Sequence, residues 1–250
     1  MKNGLKGLKV EKRVNIAWST TNYGPIESSI YQNHLAAIAN AARRFDLKYV
    51  GVTDKMYTHT ASNVLAEHSI ENCIDYVFFT ENDMLLPFDI ISRFFDNIQK
   101  TKLDACAGLY FLRGDGTQPC LYNRDDDSEN KYAFVPVMLV PENELFTIDC
   151  PGMGCVLLNT DVFRKVPYPW FDLKEGKYGQ DIYFWSKAKD NGIKVGVDSS
   201  IQCGHLCERR VVDIQDYKDW LLKHKTDKAG FVLTSPRNSV KGGNLNVTAK

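Results

Sequence analysis

The chain lacks any apolar stretch approaching the roughly 18 residues that a membrane-spanning helix needs. It also lacks an excess of either charge. Its 31 basic and 31 acidic residues cancel, which argues against a protein that grips nucleic-acid backbone, since such proteins carry a basic excess or patch. Internal repeats are absent, and the composition excludes low-complexity and collagen-like chains. An even cysteine count is missing too: there are seven, at 73, 106, 120, 150, 155, 203 and 207. An odd number in a chain this long argues against a disulfide framework. Cys106 and Cys155 sit in apolar runs, where a reduced cysteine packs as a small hydrophobe. Cys203 and Cys207 flank His205 and suggest zinc. No second cysteine or histidine pair follows at ligand spacing, so structural zinc is the weaker reading. Met1 to Arg13 holds four lysines and an arginine without an apolar centre, which is no signal-peptide pattern. The expectation is a soluble, cytoplasmic protein.

What is present is ample material for a core. Hydrophobic residues make up 44% of 250, enough for one long domain or a short pair. Arg13–Trp18 reads as a strand. From Ser28 the apolar positions Ile30, His34/Leu35, Ile38, Ala41/Ala42 and Phe45 recur at helical spacing. Leu47–Thr53 is a second strand, so the chain opens strand, helix, strand, which favours a parallel sheet with a crossover helix. Ala61–Ile70 is a second helix. Asp75–Thr80 is almost continuously apolar, as in strands buried on both faces. A third helix is expected near Pro87, with Phe88, Ile91, Phe94, Phe95 and Ile98 as its buried face. Ala105–Phe111 and Gly154–Leu158 are further strands, with two short strands between residues 132 and 148 and loops at 114–117 and 123–130. Gln180–Asn191 is a helix stopped by Gly192, followed by a strand over Ile193–Val197. Beyond about Val211 come one amphipathic helix, Tyr217–His224, and a polar tail expected to be mobile from Ser235.

The chemistry concentrates at Glu81-Asn82-Asp83. Two carboxylates stand two residues apart directly after a buried strand, where open α/β sheets bind ligands. Hard divalent cations bind such oxygens together with substrate phosphates. The same residues serve equally well as a polar turn in which Asn82 or Asp83 caps the next helix. The acidic run Asp125–Asp127 follows no comparable strand and reads as a solvated turn.

Further along lie Gly152-Met153-Gly154 before a strand, then Phe163, Val166-Pro167 and Trp170-Phe171, then Gly179-Gln180-Asp181 at a helix start, Gly192-Ile193-Lys194-Val195 leading to Asp198, and finally His205. In this order the parts resemble the GT-A glycosyltransferases of the nucleotide-diphospho-sugar transferase superfamily, family-2-like, over roughly residues 13–206. The resemblance implies a GT-A (Rossmann-like) α/β fold: a mostly parallel central sheet flanked by helices, with a small antiparallel acceptor-side ribbon. It implies a catalytic domain over 1–210 and a helix and tail over 211–250. The implied activity is hexosyl transfer from a nucleotide-diphosphate sugar to an acceptor hydroxyl. The acceptor class stays open: glycan, lipid, protein, small molecule or modified nucleic acid.

Carried over by position, Asp83 and His205 would hold the metal, and a nitrogen ligand among oxygens favours Mn2+ over Mg2+. Ser19, Thr20, Asp54, Asn63, Glu81, Asn82 and Gly154 would bind the donor. Asp181 would be the general base, although an Asp in a first helical turn also simply complements the helix dipole. Trp170 and Tyr178 would line the acceptor side, although such aromatics serve equally as core. The chain departs from the family at Gln180, where an acid is common, and at Ser62, where many relatives have arginine. The first departure leaves inversion and retention both open. A sugar-phosphate nucleotidyltransferase and a non-catalytic binder of the same fold are the alternatives. Against the former, the segment after the first strand has one glycine, Gly24, in place of a glycine-rich phosphate loop.

Overall fold

The computed structural model describes residues 13–113, 118–174, 177–207, 210–226 and 238–239. The basic N-terminal stretch through residue 12, the loop at 114–117 and most of the polar tail lie outside the described residues.

The chain opens with β1 (Asn15–Thr21), α1 (Ser28–Ala41), β2 (Asp46–Val52), α2 (Thr58–Glu71) and β3 (Tyr76–Glu81). After β4 (Met84–Leu85) come α3 (Ile90–Thr101) and β5 (Ala105–Leu109). Short strands follow: β6 (Leu121–Arg124), β7 (Phe134–Pro136), β8 (Leu145–Ile148) and β9 (Cys150–Pro151). The rest is β10 (Cys155–Asn159), α4 (Val162–Lys165), α5 (Gln180–Asp190), β11 (Val195–Gln202), β12 (Gly204–Cys207), β13 (Arg210–Val212), α6 (Ile214–Thr226) and β14 (Asn238–Ser239).

The main sheet has the order β14-β8-β11-β5-β10-β3-β1-β2. β1, β2, β3, β5, β11 and β14 run one way, and β8 and β10 run against them. The fold is therefore mixed α/β with a mostly parallel, Rossmann-like sheet. Two three-stranded antiparallel groups, β13-β12-β4 and β7-β6-β9, flank it.

Strand alternation builds two cores from one sheet. In β3, Val77 and Phe79 join a cluster with Leu65 of α2 and Phe184 and Trp185 of α5. Tyr76 and Phe78 point the other way, into a cluster with Ala37 of α1 and Ile91 and Phe94 of α3. Both faces are buried under helices, which is why β3 carries almost no polar residue. The C-terminal helix α6 belongs to the first of these cores. Its Tyr217 stacks on Phe111 at 5.1 Å and donates its hydroxyl hydrogen to Met138 O at 2.8 Å. Gly192 takes φ 72° just past α5, the left-handed stop its position implied. Among the described residues no helix is long and apolar enough to cross a membrane.

Two local expectations need correction, and one strand direction is new. β1 continues through Thr21, three residues beyond its expected end. β10 runs antiparallel to both neighbours, so its start and not its end lies beside the carboxyl end of β3. The segment after Asp83 pairs as β4, and α3 begins only at Ile90, with Asp89 at its N-cap and no side-chain cap. Pro87 and Phe88 thus precede the helix, and Phe88 is 62% exposed.

Phe78 and Phe88 make a matched test of this layering. Phe78 is fully buried, 4.7 Å from Trp18 between ring centroids. Phe78→Ala is expected to cost about 3–5 kcal/mol in urea unfolding, and Phe88→Ala no more than about 0.5 kcal/mol.

Candidate metal centre

Two strand pairings assemble the centre. Thr21 and Glu81 lie opposite each other at the carboxyl ends of the parallel strands β1 and β3. The chain then turns through Asn82 and Asp83 into β4, which pairs antiparallel with β12, Met84 opposite His205. The Leu206 N–H donates to Asp83 O at 2.8 Å, which locks the turn to the strand carrying the histidine. From the other side α1 grips β4. Asn33 donates to Leu86 O at 2.9 Å and accepts from Leu86 N–H at 2.7 Å. His34 lies with Nε2 2.9 Å from Met84 O. A carbonyl only accepts, so this Nε2 carries a proton, and burial holds the His34 pKa below its ordinary value.

Glu81, Asp83 and His205 each present a ligand atom within 4.8 Å of the others. The His205 Nδ1 lies 2.7 Å from Phe111 O. That nitrogen must donate, which leaves the Nε2 lone pair of the neutral ring facing the carboxylates. Nε2 lies 3.5 Å from Asp83 Oδ2. Both His205 Nε2 and Asp83 Oδ1 are buried without a hydrogen-bond partner. Buried acceptors left without a partner are costly unless a ligand satisfies them. Two carboxylates and one imidazole nitrogen form a donor set that fits a divalent ion.

The electrostatics agree. Burial, then the neighbouring charges of Asp83 and Asp181, push Glu81 up to about 7. For His205 burial acts downward, but the adjacent Asp83 carboxylate, the bond to the Phe111 carbonyl and the charge of Glu81 raise it overall. The site thus holds protons where a metal ion would hold the ligands.

A cleft of about 220 Å³ opens beside the triad, lined by Glu81, Asn82, Asp83 and Arg113 together with residues after β1 and β2. Asn82 donates to Asn22 Oδ1 at 2.6 Å across it. Gly154 lies at the head of β10, its carbonyl 3.3 Å from Glu81 N. A side chain at Gly152 or Gly154 would run into Tyr110. The two glycines therefore let this ring sit against the backbone, where its hydroxyl accepts from Gly154 N–H at 3.0 Å and its edge meets His205. Asp181 is partly buried in the first turn of α5. Burial raises its pKa, and its charge acts on Glu81.

Other sequence expectations fall elsewhere. Ser19 and Thr20 are buried inside β1, their hydroxyls engaged with Tyr49 and with Trp18 Nε1. Because β1 runs on, Thr21, Asn22 and Tyr23 line the cleft in their place. Asp54 is exposed and outside the cleft's lining, which β2's loop supplies through Met56 and Thr58. Asn63 is used up structurally. It donates to His59 O and Phe171 O at 3.0 and 2.7 Å and accepts from Trp170 N and Phe171 N at 3.2 and 3.1 Å. Trp170 is core, 7% exposed, with Nε1 bonded to Phe163 O and Val166 O. Tyr178 is partly exposed in a stack with Tyr132 and Tyr183. Cys203 lies against Cys155, Sγ to Sγ 3.2 Å, and neither Cys203 nor Cys207 joins the cluster around His205.

Sequence reasoning missed Arg113, Tyr110 and the Phe111 carbonyl. The glycines at 152 and 154 were the available signal for a ring packed on the backbone.

No protein-family model matches the chain, and no curated protein does. Among solved structures it is similar to one titled the crystal structure of A197 from STIV. The two are 14% identical with a TM-score of 0.54, over 80% of this chain and 93% of that one. At that identity the likeness concerns the fold alone.

The proton on Glu81 gives a measurable pH effect in the metal-free protein. Its folded pKa, about 7, lies above the ordinary 4.5. Between these values the folded state binds a proton that the unfolded chain has released, so this group's contribution to stability falls as pH rises from about 4.5 to 7. His205, raised above 6.5, acts in the same direction at the upper end. Urea unfolding of wild type and Glu81→Gln across this window should show the variant gaining on wild type with rising pH, by on the order of 2–3 kcal/mol. A constant difference would contradict the assignment.

Proposed function

We propose that this protein is a metal-dependent glycosyltransferase of the GT-A type, moving a sugar from a nucleotide-diphosphate sugar to an acceptor hydroxyl. The observation that carries the reading is the Glu81–Asp83–His205 triad, with its unpaired buried acceptors, at the carboxyl end of a mostly parallel sheet. That edge is where open α/β sheets bind nucleotides, and a carboxylate-rich divalent site is the usual partner of a diphosphate.

Glu81, Asp83 and His205 would hold the ion. When bound, it supplies positive charge opposite the departing nucleoside diphosphate. Thr21, Asn22, Tyr23, Met56 and Thr58 would receive the nucleoside. Asp181, with burial raising its pKa, would take the proton from the acceptor hydroxyl. Tyr178, in its partly exposed stack, would face the acceptor side. Seven free cysteines fit a reducing, cytoplasmic setting.

The test is calorimetry with nucleoside diphosphates and nucleotide sugars, with and without Mn2+, followed by assay for released or transferred sugar. Wild type should bind in a Mn2+-dependent way. Asp83→Ala should lose more than the roughly 10- to 100-fold that changes outside the ligand shell cost. Full Mn2+-dependent binding by Asp83→Ala would sink the proposal. Binding without any product would leave a non-catalytic binder.

A further inference from the structure

Arg113 has no part in the chemistry above, yet it touches the centre. Its Nη1 lies 3.0 Å from Asp83 Oδ2, the same oxygen that lies 3.5 Å from His205 Nε2. Its side chain is 60% exposed, that of Asp83 only 17%. It is the one basic residue among the described residues lining the cleft, opposite Glu81 and Asp83. It also follows closely on Phe111, whose carbonyl fixes the His205 tautomer. One chain segment therefore orients a metal ligand and supplies a guanidinium to another.

We infer that Arg113 is a positioning and binding residue: it holds Asp83 in the unloaded protein and passes to the ligand's diphosphate when a divalent ion takes Asp83 over. The inference rests on the functional reading above. A divalent ion and a guanidinium compete for the same carboxylate, and once the ion is seated the two positive groups repel. The freed guanidinium is on a long, exposed side chain in the same cleft. Its planar fork matches phosphate oxygens in a way a lysine ammonium does not. Arg113 then opposes metal binding when no phosphate is present and supports it when phosphate is there. That amounts to positive coupling between ion and nucleotide, and the coupling must be reciprocal.

The experiment measures Mn2+ affinity by electron paramagnetic resonance of the free ion, alone and with saturating ADP, CDP, GDP or UDP. It compares wild type, Arg113→Ala and Arg113→Lys. Arg113→Ala should bind Mn2+ alone about two- to fivefold more tightly, the scale of a partly exposed ion pair. With Mn2+ present it should bind the nucleoside diphosphate about tenfold more weakly. Arg113→Lys should fall between on the nucleotide. These opposite signs do not arise from a damaged fold. Unchanged or weaker Mn2+ binding, or unchanged nucleotide binding, in Arg113→Ala overturns the inference alone. A wild type that binds no nucleoside diphosphate with Mn2+ overturns the functional reading as well.

Discussion

The centre depends on one short ladder, the antiparallel pairing of β4 with β12. Asp83 and His205 come from distant parts of the chain. The matches of Met84 with His205 and Leu85 with Gly204, and the bond from Leu206 N–H to Asp83 O, bring them side by side. β4 is two residues long and would not stand alone. It persists because α1 holds its far side through Asn33 and His34. An apparently ordinary helix is thus part of the support of the site. The buried His34, which helical periodicity treats as an apolar position, is there to bond a strand carbonyl.

That ladder gathers negative charge where water reaches it only in part. Glu81 responds by keeping its proton, and His205 by rising in pKa. Asp83 responds by recruiting Arg113. Each is a substitute cation, a proton twice and a guanidinium once. Asp83 Oδ1 is still left without a partner. In the function proposed above, that strain is pre-organisation, since the repulsion would disappear once an ion bound.

Much of this was legible in the sequence, and for physical reasons. A strand buried on both faces must be continuously apolar, so β3 stood out, and the acidic turn behind it with it. Strand direction was not legible. Cys155–Asn159 has the same composition whichever way it runs, and so Gly154 at its head reaches Glu81 without any periodic signal. Side-chain amides were equally silent. Asn63 looks like a ligand in a list of polar residues, but all its capacity goes to the backbone of 170–171 and to His59. Trp170 looked like a platform and proved to be core, because its indole N–H finds carbonyls inside. Arg113 sits in a stretch with no pattern, and only the fold shows what it faces.

Ser62 and Gln180, far apart in the sequence, meet in the fold. The Ser62 hydroxyl donates to Gln180 Oε1 at 3.0 Å. Both are buried, at 1% and 8% exposure. A charged pair at that depth must recover a large desolvation penalty, and a neutral pair of hydrogen-bonding groups does not. The contact fastens α2 to the first turn of α5, where Asp181 is the next residue. The placement of Asp181 is thus supported by a neutral bond between two buried side chains.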